Sequence, residues 1–186
     1  MRRQGEALGM SAGAACKGFG PAPGGETRVI GVGELAAGKT AGQILKTYGL
    51  GSCVAVNVFD PATKVAGMAH VALPDSGIWA SQPVRKPAYY ADKALPLLLR
   101  SMAALTGGSL TRGCQVKLVG GANVIGSKGA FRIGDRNVDT LRELLQQLGL
   151  WIAAEDLGGT ISRTVSLDVA TGRVRVDSPG RTSWML

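Results

Sequence analysis

Two apolar segments meet at a turn a third of the way along the chain, and they constrain the fold more than any other feature. Val54, Val56 and Val58 alternate with Ala55, Asn57 and Phe59, which gives an extended strand one consistent apolar face. Asp60-Pro61-Ala62-Thr63 follows as a turn, and Val65 to Leu73 reads as a second strand. The hairpin so formed has Cys53 at the entry of one strand and His70 near the far end of the other.

The rest of the chain fits around that hairpin. Val29, Ile30 and Val32 suggest a first strand, and Pro74 to Pro87 a loop containing Asp75, Ser76 and Gly77. Ala88 to Leu105 reads as a helix with Leu95, Leu98, Leu99 and Met102 on one side, which Pro96 should kink or limit. Val116 to Val119 is a strand, followed by a glycine-rich loop from Gly120 to Gly134. Val138, Leu141, Leu144, Leu145 and Leu148 have helical spacing, with Asp135 or Asn137 as a cap and Gly149 as the stop. Trp151 to Glu155 is another strand, and Arg163 to Val169 pairs with Arg173 to Asp177 around Ala170-Thr171-Gly172. The sum is a mixed α/β (α+β) domain of largely antiparallel sheets with about three helices.

Composition limits what such a domain can do. The 186 residues, 45% hydrophobic and 18% charged, suffice for one folded domain with a substantial core. Residues 1–27 are rich in Gly, Ala and Pro without periodicity and read as a flexible N-terminal tail; residues 28–178 form the domain and 179–186 a C-terminal tail. No apolar run spans a bilayer and no sustained apolar segment follows Arg2-Arg3, so we expect a cytoplasmic protein without a signal peptide or direct membrane insertion. The net charge of +8 comes from scattered residues, and aromatics make up only 5%, which argues against a nucleic-acid platform. Three cysteines, one histidine and no C-x-x-C argue against a structural zinc site or a disulfide framework.

Two motifs compete for the chemistry. Gly33 to Thr40, GELAAGKT, satisfies the phosphate-loop pattern G-x-x-x-x-G-K-[ST]. Its context fails, since only Ala41 to Tyr48 is left for the helix that should follow. The rival is Cys53, directly after Gly49-Leu50-Gly51-Ser52, where backbone can approach a substrate and successive N–H groups can hold an oxyanion. Cys114 reads as a small buried hydrophobe, and Cys16 falls in the tail. A thiol needs a base, and His70 is the one histidine available. The group that orients its ring stays open among Thr47, Ser52, Asp75, Glu155 and Asp156.

LGSCVAV (Leu50 to Val56) followed by GMAHVALPDSG (Gly67 to Gly77) closely resembles the CheD family of chemoreceptor glutamine deamidases. YAD (Tyr90 to Asp92), GGAN (Gly120 to Asn123), IGDRNV (Ile133 to Val138) and AEDLGGTISRTV (Ala154 to Val165) extend the resemblance in the same order. The resemblance implies packed sheets with flanking helices, similar to the catalytic domain of cytotoxic necrotizing factor. It implies a thiol amidohydrolase without cofactor or metal, with Cys53 as nucleophile, His70 as base, Thr47 supporting the histidine, and backbone near Gly51 and Ser52 holding the oxyanion. Its implied substrate is the cytoplasmic helical region of chemoreceptors, with methyl esters as a further substrate in some members. The CheC phosphatase is the implied partner. The alternative it leaves is a non-catalytic module that regulates a CheC-type CheY phosphatase.

Overall fold

In the computed structural model, which describes residues 19–20, 25–77, 86, 88–108, 110–123 and 132–186, the central hairpin is β4 (Val54–Asp60) and β5 (Val65–Val71). The turn closes on Asp60, whose carbonyl accepts from Lys64 N–H at 2.9 Å and whose carboxylate accepts from Ala62 N–H at 3.1 Å. Every residue of both strands is buried, polar ones included. Both faces of this hairpin are therefore covered, which its near-continuous apolar run allows.

The hairpin lies in a sheet of order β2-β5-β4-β6-β7, with β2 (Leu35–Gly38), β6 (Gln115–Gly120) and β7 (Trp151–Leu157). A second sheet has the order β1-β3-β8-β9-β10, from β1 (Thr27–Val29), β3 (Ile44–Leu50), β8 (Arg163–Asp168), β9 (Val174–Asp177) and β10 (Trp184–Met185). β1–β3 and β6–β7 are parallel, and every other pair is antiparallel. Helices α1 (Ala91–Ala104) and α2 (Ile133–Gln147) cover one face of the hairpin sheet, burying Val54, Val56, Val58 and Val71 under Leu95, Leu98, Met102, Leu141 and Leu145. The other face packs on the second sheet through Ala55, Ala66, Met68 and Val119 against Leu45, Val165, Leu167 and Val176. Full burial of each large side chain contributes about 1.5–3 kcal/mol, so these two apolar layers fix the order helix, sheet, sheet.

Two helices are found among the described residues. Several local expectations need correction. α1 runs as one helix through Pro96, whose side chain is exposed and whose missing N–H leaves one intrahelical bond unmade. α2 begins at Ile133 with Arg132 at its cap and no side-chain cap bond, so Asp135 lies in its first turn and Asn137 lies buried within it. The first strand stops at Val29; Ile30 turns inward while Val32 stays exposed. Strands β2 and β3 occupy the segment from Gly33 to Leu50, so a strand runs through the phosphate-loop lookalike and another follows it where a helix would be needed. Residues 179–186, read as a tail, include β10, which pairs with β9, and Trp184, whose indole N–H donates to Asp156 at 3.0 Å. Most of residues 1–27, including Cys16, and parts of the loops at 74–87 and 120–134 lie outside the described residues. Among the described residues no helix is long and apolar enough to cross a membrane.

Candidate active site

Alternation along β3 sends Leu45 and Thr47 toward the hairpin sheet, and alternation along β5 sends Met68 and His70 toward β3. The two polar side chains meet between the sheets: Thr47 Oγ1 lies 2.7 Å from His70 Nδ1, and both residues are almost wholly shielded from solvent. Thr47 Oγ1 also donates to the Ile30 carbonyl at 2.7 Å. A hydroxyl carries one proton, and a carbonyl can only accept. That proton is committed to Ile30, so Oγ1 must accept from the ring. The network thus assigns the proton to Nδ1 and leaves Nε2 with a free lone pair. Nε2 is buried and makes no hydrogen bond.

Cys53 shares this face. It precedes Ala55 by two residues, and Ala55 stands directly opposite His70 in the hairpin register. Its partly buried side chain packs on the apolar layer between the sheets, at the open end of the hairpin. Nothing bonds to Nε2, so thiol and imidazole rest without a hydrogen bond between them. Burial raises the thiol above its ordinary value of 9.0, against the partial help of its own backbone N–H. Burial lowers the imidazole to about 4, with the nearby Lys86 charge adding to the effect and Glu34 opposing it. Both groups are therefore neutral near physiological pH.

The turn before Cys53 is held by its carbonyls. Gly51 O accepts from Ala122 N–H at 2.7 Å, Ser52 O from Asn137 Nδ2 at 2.9 Å, and Cys53 O from Gly121 N–H at 2.8 Å. No carbonyl among the described residues accepts from the N–H of Ser52 or Cys53. Gly120 makes the close approach possible. Its φ is +125°, and a Cβ there would stand 2.2 Å from the Cys53 carbonyl oxygen.

The other candidates for orienting the imidazole are engaged elsewhere. Asp75 accepts from Gly77 N–H at 2.7 Å in an exposed turn. Glu155 pairs with Arg142 on the surface. Asp156 accepts from Arg163 at 2.8 Å and from Trp184. Ser52 holds Asn137 through its backbone carbonyl, and the Nδ1 position it would have to reach is already taken by Thr47. Cys114 is buried in the layer under the helices, where burial and the Asp60 charge push its thiol up to about 11. Among the described residues no three His, Cys, Asp or Glu side chains are grouped as a metal site requires.

Asn137, expected as a helix cap, instead lies buried inside α2 and bonds the turn before Cys53. The signal was present: it is a polar residue immediately before Val138, within the stretch that supplies the buried face of α2. The Ile30 carbonyl that takes the Thr47 proton has no signature in the sequence, because backbone acceptors leave no mark on side-chain pattern.

A model of the family described as CheD chemotactic sensory transduction matches residues 72–178. The chain is 45% identical over 158 residues to a protein of Syntrophotalea carbinolica named probable chemoreceptor glutamine deamidase CheD, covering 85% of this chain and 98% of that one. It is 42% identical over 153 residues to the chemoreceptor glutamine deamidase CheD of Thermotoga maritima, covering 82% and 92%. A probable chemoreceptor glutamine deamidase CheD of Pyrococcus abyssi is 42% identical over 149 residues, covering 79% and 88%. Matches of this identity along nearly the whole length of each relative, joined to the helix, sheet, sheet architecture, show that the chain belongs to the CheD family.

Proposed function

We propose that this chain is a protein-glutamine deamidase of chemoreceptors, with Cys53 as nucleophile, His70 as base and Thr47 as the group that fixes the histidine tautomer. The observation that carries the reading is the Thr47–His70 bond between the sheets, which leaves Nε2 unprotonated on the face that Cys53 shares. Nε2 is a buried acceptor with its lone pair unused, and accepting the proton of a thiol is a use the geometry allows.

The resting pair is neutral, so proton transfer accompanies attack. As Cys53 Sγ bonds to the side-chain carbonyl carbon of a receptor glutamine, its proton moves to His70 Nε2. The C=O electrons move onto oxygen, where the N–H groups of Ser52 and Cys53 are the available donors. The imidazolium gives its proton to the amide nitrogen, the C–N bond breaks, and ammonia departs. Water gives one proton to Nε2 as its oxygen attacks the thioester; the C–S bond breaks, the sulfur takes that proton back from the imidazolium, and the glutamic acid so formed loses its remaining proton to leave glutamate. General acid–base work of this kind supplies about 10²–10⁴-fold. Thr47 keeps the ring in the competent tautomer without placing a negative charge beside it, consistent with a base that stays neutral until substrate arrives.

The substrate in this reading is the cytoplasmic helical part of a receptor, and the site of action is the cytoplasm. The test is incubation of the purified chain with a soluble receptor fragment, followed by mass spectrometry of its glutamine-containing peptides. Conversion of particular glutamines to glutamate with release of ammonia is expected. A chain that binds CheC and converts no glutamine in any receptor fragment would replace this reading with the non-catalytic module.

A further inference from the structure

The β4–β5 ladder is regular up to the Val54–Val71 pair. One residue further the strands part. On the β4 side, the Cys53 carbonyl accepts from Gly121, so the cysteine follows the extension of β6. On the β5 side, Ala72 N–H donates to Tyr89 O at 3.0 Å, and that strand turns toward the start of α1. Cys53 therefore sits in a fork, and no backbone rung joins it to the strand that carries His70.

A side chain closes the fork. Asn137, in the second turn of α2, donates from Nδ2 to Ser52 O at 2.9 Å and to Ala72 O at 3.0 Å. One amide group thus holds one carbonyl on each arm. Its orientation is fixed, because a flipped amide would set Oδ1 against two carbonyl oxygens. The residue is fully buried, and its Oδ1 has no partner. α2 is itself seated on the same loop: a Cβ at Gly134 would stand 2.5 Å from the Gly121 carbonyl oxygen.

The Ser52 carbonyl and the Cys53 N–H belong to one peptide plane and point in opposite directions. Holding the first aims the second. We propose that Asn137 is a positioning residue for deamidation: its amide clamps the nucleophile's turn to the base's strand and aims the Cys53 N–H at the developing oxyanion. This rests on the reading of Cys53 and His70 given above.

The test compares Asn137→Leu, which keeps the bulk and removes both donors, with Asn137→Ser, which is smaller and keeps one. Deamidation kinetics on a receptor fragment, thermal melts, and the pH dependence of Cys53 alkylation by iodoacetamide, read by peptide mass spectrometry, are measured for each. Asn137→Leu should lower kcat per folded molecule roughly 10- to 100-fold and leave KM within about threefold. Asn137→Ser should fall between it and the parent. The alkylation midpoint should move down toward the ordinary thiol value, because a loosened turn relieves the burial that raises it. Parental kcat and an unmoved alkylation profile in the folded variants would overturn the proposal. So would activity lost only in proportion to folded protein, including complete unfolding of both variants, since Asn137 would then be a stability residue. A Cys53→Ala chain run alongside separates the two claims: if it deamidates, the underlying reading fails, whatever the Asn137 variants do.

Discussion

Replacing Thr47 by Val keeps the shape of the side chain and deletes one hydroxyl, which bonds the Ile30 carbonyl and His70 Nδ1 at 2.7 Å each. Both partners are buried in the layer between the sheets. A buried polar group left unpaired costs about 1–3 kcal/mol, so the two together lower folding stability by roughly 2–6 kcal/mol. The effect on chemistry is separate. With Oγ1 gone, nothing selects the Nδ1-protonated ring, and a ring protonated on Nε2 cannot take the thiol proton. A selecting bond worth about 1.4 kcal/mol changes the tautomer ratio about tenfold, so its loss lowers kcat by a few-fold and by about tenfold at most. The chain has a single histidine, so the imidazole signals in nitrogen NMR of isotope-labelled protein belong to His70 alone. The parent should show a neutral ring protonated on Nδ1, and Thr47→Val a mixture that includes the Nε2-protonated ring. A parent ring protonated on Nε2, or unchanged tautomer and kcat in the variant, would mean that Thr47 does not set the tautomer.

The same buried ring makes stability depend on acid. His70 titrates near 6.5 when unfolded and at about 4 when folded, so between those values the unfolded chain binds the proton and the folded chain does not. Folding free energy should therefore fall as pH drops through this window, by about 3 kcal/mol for the whole shift, in urea unfolding followed by circular dichroism. A flat profile there, or one unaltered by His70→Gln, would contradict the assignment. Gly120→Ala should cost about 2–5 kcal/mol in the same assay, combining strain at φ +125° with a Cβ set 2.2 Å from the Cys53 carbonyl oxygen. Gly49→Ala, with φ +66° and open space around it, should cost only about 1–2 kcal/mol. Equal losses would mean that the Gly120 approach does not matter.

The central hairpin was legible because the alternation of Val54, Val56 and Val58 and the Asp60-Pro61 turn are local signals. The helices were legible from the spacing of Leu95, Leu98 and Met102 and of Val138, Leu141 and Leu145. β3 was missed because its inward Leu45 and Thr47 alternate with Lys46 and the exposed Tyr48, a polar-rich pattern with glycines at both ends. β2 is a leucine and three small residues whose pairing with β5 no local pattern announces. Cys53 and His70 stood out by residue type, a thiol behind a glycine-rich turn and the one histidine of the chain. The choice of Thr47 over Asp75, Glu155 or Asp156 needed the packing of two sheets, because Thr47 and His70 lie on strands that never pair with each other. Asn137 was invisible as a clamp for the same reason: the fork it closes is made by β4, β5 and β6 together, and only the folded backbone sets them apart.

Whether the Cys53 sulfur is the nucleophile is read from Cys53→Ala incubated with a receptor fragment. A folded protein with the parental melt is expected, in which the reacting glutamines stay glutamine at every time point while the parent converts them. Conversion by Cys53→Ala at the parental rate would contradict that role.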